Sequence, residues 1–306
     1  MRIGISIGST YPGDDHRAGP AAVLAQARAA SLAGLDHLVL GDHHSMAPSA
    51  YVQNVPMLGR LLAEWTERPA GCLFLVPLWN PVLLAEQVGT LAALAPGPFI
   101  VQTGVGGGAA QFAAMGATLA GRGRRTDDGI RIAQALLRGE TVDSEALGIR
   151  GAAIAPLPPD GTQWWIGGGV PRAIDRAARL GDCWYGNADL TPTTAGDLLA
   201  VYREACDRYG RTPVRLPIRK DVLVTERQAD AERAGDALLA AGYRGFARDA
   251  VAYGDPEHVA EQLAPYGEFG FTDLVVRTMS PLPGDLGPGA AARSVELCAE
   301  VLAHLH

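Results

Sequence analysis

The chain has 306 residues, 48% hydrophobic and 19% charged, with 26 Lys and Arg against 33 Asp and Glu for a net charge of −7. So much apolar material with so little charge provides a large core and excludes intrinsic disorder. The acidic balance, with Lys220 as the single lysine and no cluster of arginines, excludes a binder of nucleic-acid phosphates. Between residues 69 and 121 the only charged residue is Glu86, and Pro77, Asn80, Pro81, Pro96, Gly97 and Pro98 cut the stretch, so it reads as buried core and not as a membrane span. The opening MRIGISIG has neither a long apolar segment nor a cleavage site, so a cytoplasmic location is expected. Cys72, Cys183, Cys206 and Cys298 lack paired or finger-like spacing, which points to reduced core residues.

Taken in chain order, hydrophobic periodicity predicts a strand over 2–8, a helix over 20–34, a strand over 36–41 that runs into Asp42-His43-His44, and a helix over 49–65. Strands follow at 72–76 and 99–103, with a helix over 82–94 between them and the run Gly104-Val105-Gly106-Gly107-Gly108 after them. The second half repeats the rhythm: helix 124–138, a polar link to Pro159, strand 164–168, helix 171–180, strand 183–186, helix 194–209 and strand 218–224. Helices over 229–241 and 256–266, a strand at 274–276 and a helix over 290–305 complete the chain.

Several strands are continuous apolar runs, the mark of a parallel sheet covered on both faces. Eight strand–helix alternations in one unbroken chain predict a single α/β domain over 1–306, a (β/α)8 TIM barrel; an open doubly wound sheet is the alternative. No GxGxxG follows the first strand, and residues capable of chemistry recur at C-terminal strand ends, the rim where barrels build active sites.

Asp42-His43-His44 lies on that rim. A histidine there can carry a proton and an adjacent carboxylate can fix its tautomer; the structural alternative is that Asp42 caps a turn and His43 packs. Alternation along a strand would send only one of the two imidazoles into a site. The run Gly167-Gly168-Gly169-Val170-Pro171 passes from strand to helix with glycines at the helix N-terminus, a pattern that suits an anion, although a plain tight turn has the same composition. Arg277 ends the last strand, positioned for a phosphate or acidic substrate or else for an ion pair such as one with Asp273. Arg122, Arg124 and Arg125 before Asp127 and Asp128 read as a helix start with surface ion pairs. A metal site is disfavoured: Asp14-Asp15-His16 and Asp42-His43-His44 lack companions at other strand ends.

Together LVLGDHH (38–44), NPVLLAEQVGTLAAL (80–94), TGVGGG (103–108), GRGRRTDDGI (121–130), WWIGGGVPRAIDRAARLGDCW (164–184) and YGDPEHVAEQL (253–263) resemble the bacterial luciferase-like monooxygenase superfamily over nearly the whole chain. The resemblance implies a flavin-dependent monooxygenase that uses reduced FMN and O2 on a small organic substrate. Its alternatives are hydride transfer with the deazaflavin coenzyme F420, or a non-catalytic flavin-binding barrel. It further implies catalytic roles for His43 with Asp42, a ring bed at Cys72, Leu73, Thr103 and Gly104 with a non-prolyl cis peptide near Cys72–Leu73, and cofactor phosphate at Gly167, Gly168, Gly169 and Val170. A homodimer and a separate flavin or F420 reductase are expected on the same ground, with no nucleic-acid or membrane partner. Two departures stand out: where some F420-dependent relatives carry a catalytic Glu this chain has Ala109, and Lys220 alone rules out schemes that grip a sugar phosphate with two lysines.

Overall fold

Helices are started by a repeated device in this chain: Pro81, Pro171, Pro192 and Pro256 each stand at a first helical position, behind a cap whose side chain, at Asn80, Thr191 and Asp255, accepts backbone N–H bonds. The computed structural model describes residues 1–11, 15–213, 215–280, 286 and 289–305; Asp14 lies outside them. The first half contains β1 (Arg2–Ile7), β2 (Thr10–Tyr11), α1 (Ala18–Leu32), β3 (Leu38–Leu40), β4 (Ala50–Tyr51), α2 (Asn54–Leu61), β5 (Ala70–Leu75), α3 (Pro81–Leu94), β6 (Phe99–Gly104), α4 (Ala109–Ala114) and α5 (Arg122–Leu137). After a ribbon of β7 (Val142–Ser144) and β8 (Ile149–Ala152) come β9 (Thr162–Gly167), α6 (Pro171–Leu180), β10 (Cys183–Tyr185) and α7 (Pro192–Arg208). The chain ends with β11 (Pro217–Val224), α8 (Gln228–Ala240), β12 (Val251–Gly254), α9 (Pro256–Phe269), β13 (Asp273–Thr278) and α10 (Ala290–His304).

Nine strands form one curled parallel sheet in the order β10-β9-β6-β5-β3-β1-β13-β11-β12. The sheet curls until β10 meets β11: Gly186 N donates to Pro217 O (2.9 Å) and Arg219 N donates to Gly186 O (3.0 Å). Beyond that single bridge the upper half of β11, from Asp221 to Val224, pairs with β12 instead. Residues facing the helices, among them Ile3, Leu40, Phe74, Val101, Ile166 and Leu274, build the outer core, while Val39, Ile100, Trp165, Cys183 and Val275 fill the inside of the curl. All four cysteines are buried free thiols.

Three expectations need correction. Residues 49–65 do not form one helix, because Ala50–Tyr51 pairs antiparallel with Thr10–Tyr11 and the helix starts only at Asn54. The 138–159 link contains the β7–β8 ribbon. The strand β12, four residues wedged between two helices, was not anticipated, since a run so short carries no readable period.

Lys220 is fully buried, its Nζ donating to the carbonyls of Ala188 (3.0 Å) and Leu190 (2.7 Å) above the Tyr266 ring, so the only lysine pins the loop after β10. At the other end of the curl, Gly4 leaves room for the His37 imidazole: a methyl there would lie 2.1 Å from its Nε2. Gly4→Ala is therefore expected to destabilise the fold by about 3 kcal/mol in urea unfolding, the cost of overpacking a fixed aromatic ring. Among the described residues no helix is long and apolar enough to cross a membrane.

Candidate active site

β3 stops at Leu40, so Asp42-His43-His44 is a turn and not a strand continuation, and its two imidazoles part company. The Asp42 carboxylate is buried: Oδ2 accepts the Leu75 amide (2.7 Å) and the Trp79 indole N–H (2.8 Å), tying the end of β3 to the end of β5. Its Oδ1 lies 3.1 Å from His44 Nε2. The carboxylate thus addresses His44, against the expectation that it orients His43. His43 turns outward, its ring edge-on to Tyr51 (5.2 Å between centroids), and lines a cavity of about 640 Å³. The turn is fixed from both sides, because Gln53 Nε2 donates to His43 O (3.0 Å) and Gln111 Nε2 donates to His44 O (3.1 Å). Partial burial of the ring lowers the His43 pKa below its ordinary 6.5, Arg277 and Arg244 lower it further, and Asp42 opposes them. Tyr51, half-buried beside it, is pushed up to about 12 by desolvation and stays neutral.

Beside this turn the rim is made largely of missing side chains. Alternation along β1, β3, β6 and β9 aims residues 8, 41, 104 and 167 into the curl, and all four are glycine. A Cβ at Gly41 would lie 2.8 Å from the Tyr51 hydroxyl, and one at Gly104 would lie 3.3 Å from Leu75. Leu73 shares the inward side with Gly104, whereas the Cys72 thiol is wholly buried in the outer core, so only its main chain is on offer to a ligand. Among the described residues cis peptides occur at Ala47–Pro48 and Ala155–Pro156; the bond expected near Cys72–Leu73 is trans. Just below the glycines, the buried Gln102 and Tyr185 side chains meet inside the curl with no other partner, whereas Thr103 shares the outer side with Val101 and Phe74, so that, as at Cys72, only its main chain is on offer to a ligand.

At the next strand end, Gly168 packs so tightly on the first turn of α6 that a Cβ would lie 2.3 Å from that of Ala173, and its carbonyl accepts the Trp184 indole N–H (2.7 Å). Val170 caps α6 with no side-chain hydrogen bond and is exposed, leaving that N-terminus open to an anion. Asp127 holds this helix in place. Its carboxylate receives Arg176 and, at 2.8 Å, Arg179, locking α5 to α6, while Asp128 makes the surface pairs with Arg124 and Arg131 that the motif had suggested for both aspartates.

Arg277 rises from β13 into the same cavity as His43, against Gly8. It does not pair with Asp273, whose buried carboxylate is taken by Arg2 (2.7 Å) and Arg215 (2.8 Å). Tyr243 and Arg244, unremarked in the sequence, line the cavity too; the signal available was the Gly242-Tyr243-Arg244-Gly245 run, glycines bracketing a cation. A larger cavity, about 880 Å³, opens at the N-terminal strand ends around Met1, Arg2 and Asp36 and contains none of these residues. No group of three or more His, Cys, Asp or Glu among the described residues is placed to hold a metal ion.

A profile described as luciferase-like monooxygenase matches residues 1–250, and the chain belongs to that family. An uncharacterized protein of Mycobacterium tuberculosis is 29% identical over 45% of this chain and 48% of its own length, so the chain spans about half of such relatives. An F420-dependent glucose-6-phosphate dehydrogenase of Beutenbergia cavernae is 28% identical over 87% of this chain and 89% of its own. In fold, the chain is similar to monooxygenase RslO1 from Streptomyces bottropensis, with a TM-score of 0.83, 20% identity and complete coverage of both chains.

Proposed function

We propose that this protein is a flavin-dependent monooxygenase acting on a small organic substrate, with reduced FMN as cofactor and His43 as its proton carrier. The observation that carries the reading is the juxtaposition of an uncharged glycine-edged bed, Gly41, Gly104 and Gly167, with an exposed imidazole of lowered pKa. That bed fits a flat ring system: it offers bare main chain where side chains would stand, and the buried Gln102 and Tyr185 groups, which have only each other, suit the polar edge of a heterocycle. Leu73, Gly104 and the main chain of Cys72 and Thr103 would support the ring, and Gly167, Gly168, Gly169 and Val170 would receive the phosphate. Reduced FMN activates O2, whereas F420 transfers hydride. His43 delivers or takes a proton at Nδ1 or Nε2, Asp42 holds the turn that carries it, Tyr51 shields one side of the ring, and Arg277 faces the substrate.

The F420 reading stands second. It is supported by the relative that spans most of the chain and is named for that cofactor, and weakened by Ala109 at the start of α4. We read the curled sheet as a (β/α)8 barrel joined at Gly186, the chain as a single domain over 1–306, and the protein as a cytoplasmic homodimer served by a separate reductase. Titration of the purified protein with FMN and with F420, followed by visible absorbance, and then O2 uptake with the reduced form, tests the proposal. FMN binding with substrate-dependent O2 uptake is expected. Binding of F420 alone moves the assignment to hydride transfer, FMN binding without turnover on any substrate makes it a binding protein, and binding of neither overturns the reading.

A further inference from the structure

Three guanidiniums, those of Arg219, Arg244 and Arg277, meet at the mouth of the sheet and one carboxylate answers two of them. Asp221, wholly buried, accepts the Tyr243 hydroxyl (2.9 Å), with Arg244 at 3.5 Å and Arg219 at 3.2 Å. Among the described residues, Arg277 has neither an ion pair nor a side-chain hydrogen bond, and none of those that line the cavity it shares with Arg244 is acidic. Guanidinium groups do not deprotonate in proteins, so the surplus positive charge must be met by water or by a bound anion. Arg244 is also held at a backbone cost: its φ of 49° and ψ of 10° lie in the left-handed region, which is unfavourable for a residue other than glycine. Such conformations persist where surroundings enforce them and cluster at binding sites. Here the enforcing contacts are Tyr243 on Asp221 and the Phe246 ring 5.0 Å from the guanidinium.

We infer that this cleft is the substrate's oxyanion subsite: Arg244 and Arg277 select a small organic substrate bearing a carboxylate, phosphate or sulfonate and seat it beside His43. Two planar forks on one cavity match oxyanion geometry, and with Asp221 already engaged none of the described residues that line the cleft repels the ligand. The inference rests on the oxidoreductase reading for there being a substrate at all. The other source of an oxyanion, the cofactor's own phosphate, has its place at α6 on β9, and both β10 and β11 stand between that strand end and β13. Occupancy has a consequence for His43, which faces Asp42, His44, Tyr51, Arg244 and Arg277. Burial holds the His43 pKa down and the two arginines add to it; an anion between them offsets that added share, so substrate binding itself moves the proton carrier towards its protonated form.

The test uses the full chain and inorganic sulfate, with chloride at matched ionic strength as reference, read at the His43 ring resonances by NMR. Expected are a saturable shift with sulfate, a raised His43 pKa at saturation, and a loss of sulfate affinity of about tenfold or more in the Arg244→Met/Arg277→Met double variant. FMN or F420 affinity in that variant should stay within about twofold of wild type. A response no different from chloride, or a double variant that binds sulfate like wild type, overturns the inference. So does a parallel loss of cofactor affinity, which would make the oxyanion the cofactor's. If the double variant does not fold, Arg277→Met against Arg277→Lys decides: the first should lose sulfate and the second retain part of it, and equal binding by both overturns the inference. Failure of both cofactors to bind with the sulfate response intact removes the oxidoreductase reading while upholding the oxyanion cleft.

Discussion

His43→Ala should lower kcat by about 100-fold or more while leaving the cofactor dissociation constant within about threefold, because removing a positioned proton carrier costs two to four powers of ten and the ring bed lies elsewhere. The wild-type pH dependence should carry a limb with an apparent pKa below 6.5, the direction in which burial, Arg277 and Arg244 move this imidazole. If the step needs the protonated form, the rate rises as pH falls through that value, and the limb disappears in the alanine variant. His44→Ala is the control: His44 sits against Asp42 and Trp79, so its loss should loosen the turn and reduce stability without removing the limb. Equal losses of turnover and cofactor affinity in His43→Ala, measured by steady-state kinetics and fluorescence titration, would make His43 a packing residue.

The second large effect concerns stability in acid. His37 is wholly buried inside the curl, edge-on to Trp165 (5.1 Å), with neither ring nitrogen hydrogen-bonded. Burial pushes its pKa down to about 4; Asp273 opposes the shift, while Arg215 and Arg2 add to it. In the unfolded chain the same imidazole takes up a proton near 6.5. Between those two values the unfolded state binds the extra proton, so this contribution is complete above pH 6.5 and is lost as pH falls towards 4. From pH 7 to 4.5 the loss is about 2.5 kcal/mol. His37→Leu should remove that part of the pH dependence of the urea midpoint, leaving the share due to carboxylates such as Asp273. An unchanged pH dependence in the variant would show that His37 finds a partner or a proton within the fold.

How much of this was legible beforehand depends on the range of the interactions involved. The Pro-initiated helices and the apolar runs are local signals, and the helix over Pro171–Leu180 begins and ends where periodicity placed it. β12 was not legible because its pairing with β11 depends on where β10 departs, a contact between strands far apart in sequence. At the site, the rim position of Asp42-His43-His44 followed from strand order, but the partner of Asp42 did not, since Leu75 and Trp79 come from another unit of the fold. Arg277 was visible as a charge ending an apolar strand, whereas Arg244 matters only because a left-handed turn swings it over the same cavity. The inward glycines were there to be read: residues 104 and 167 end their strands and residues 8 and 41 follow theirs by one, each where period two points into the curl.

The single bridge at Gly186 gives the sheet an unequal mechanical strength. Neighbouring strands elsewhere are laced over three to six residue pairs, while β10 and β11 are held by two hydrogen bonds on one residue. Local opening should start along that line, and amide hydrogens of Gly186 and Arg219 should exchange earlier than those of Val222 to Val224. Tyr185 and Arg219 flank the line, and a small side cavity, about 270 Å³, opens there and shares Arg244 with the main cleft. Opening of the seam would join that cavity to the mouth of the sheet on the side away from His43.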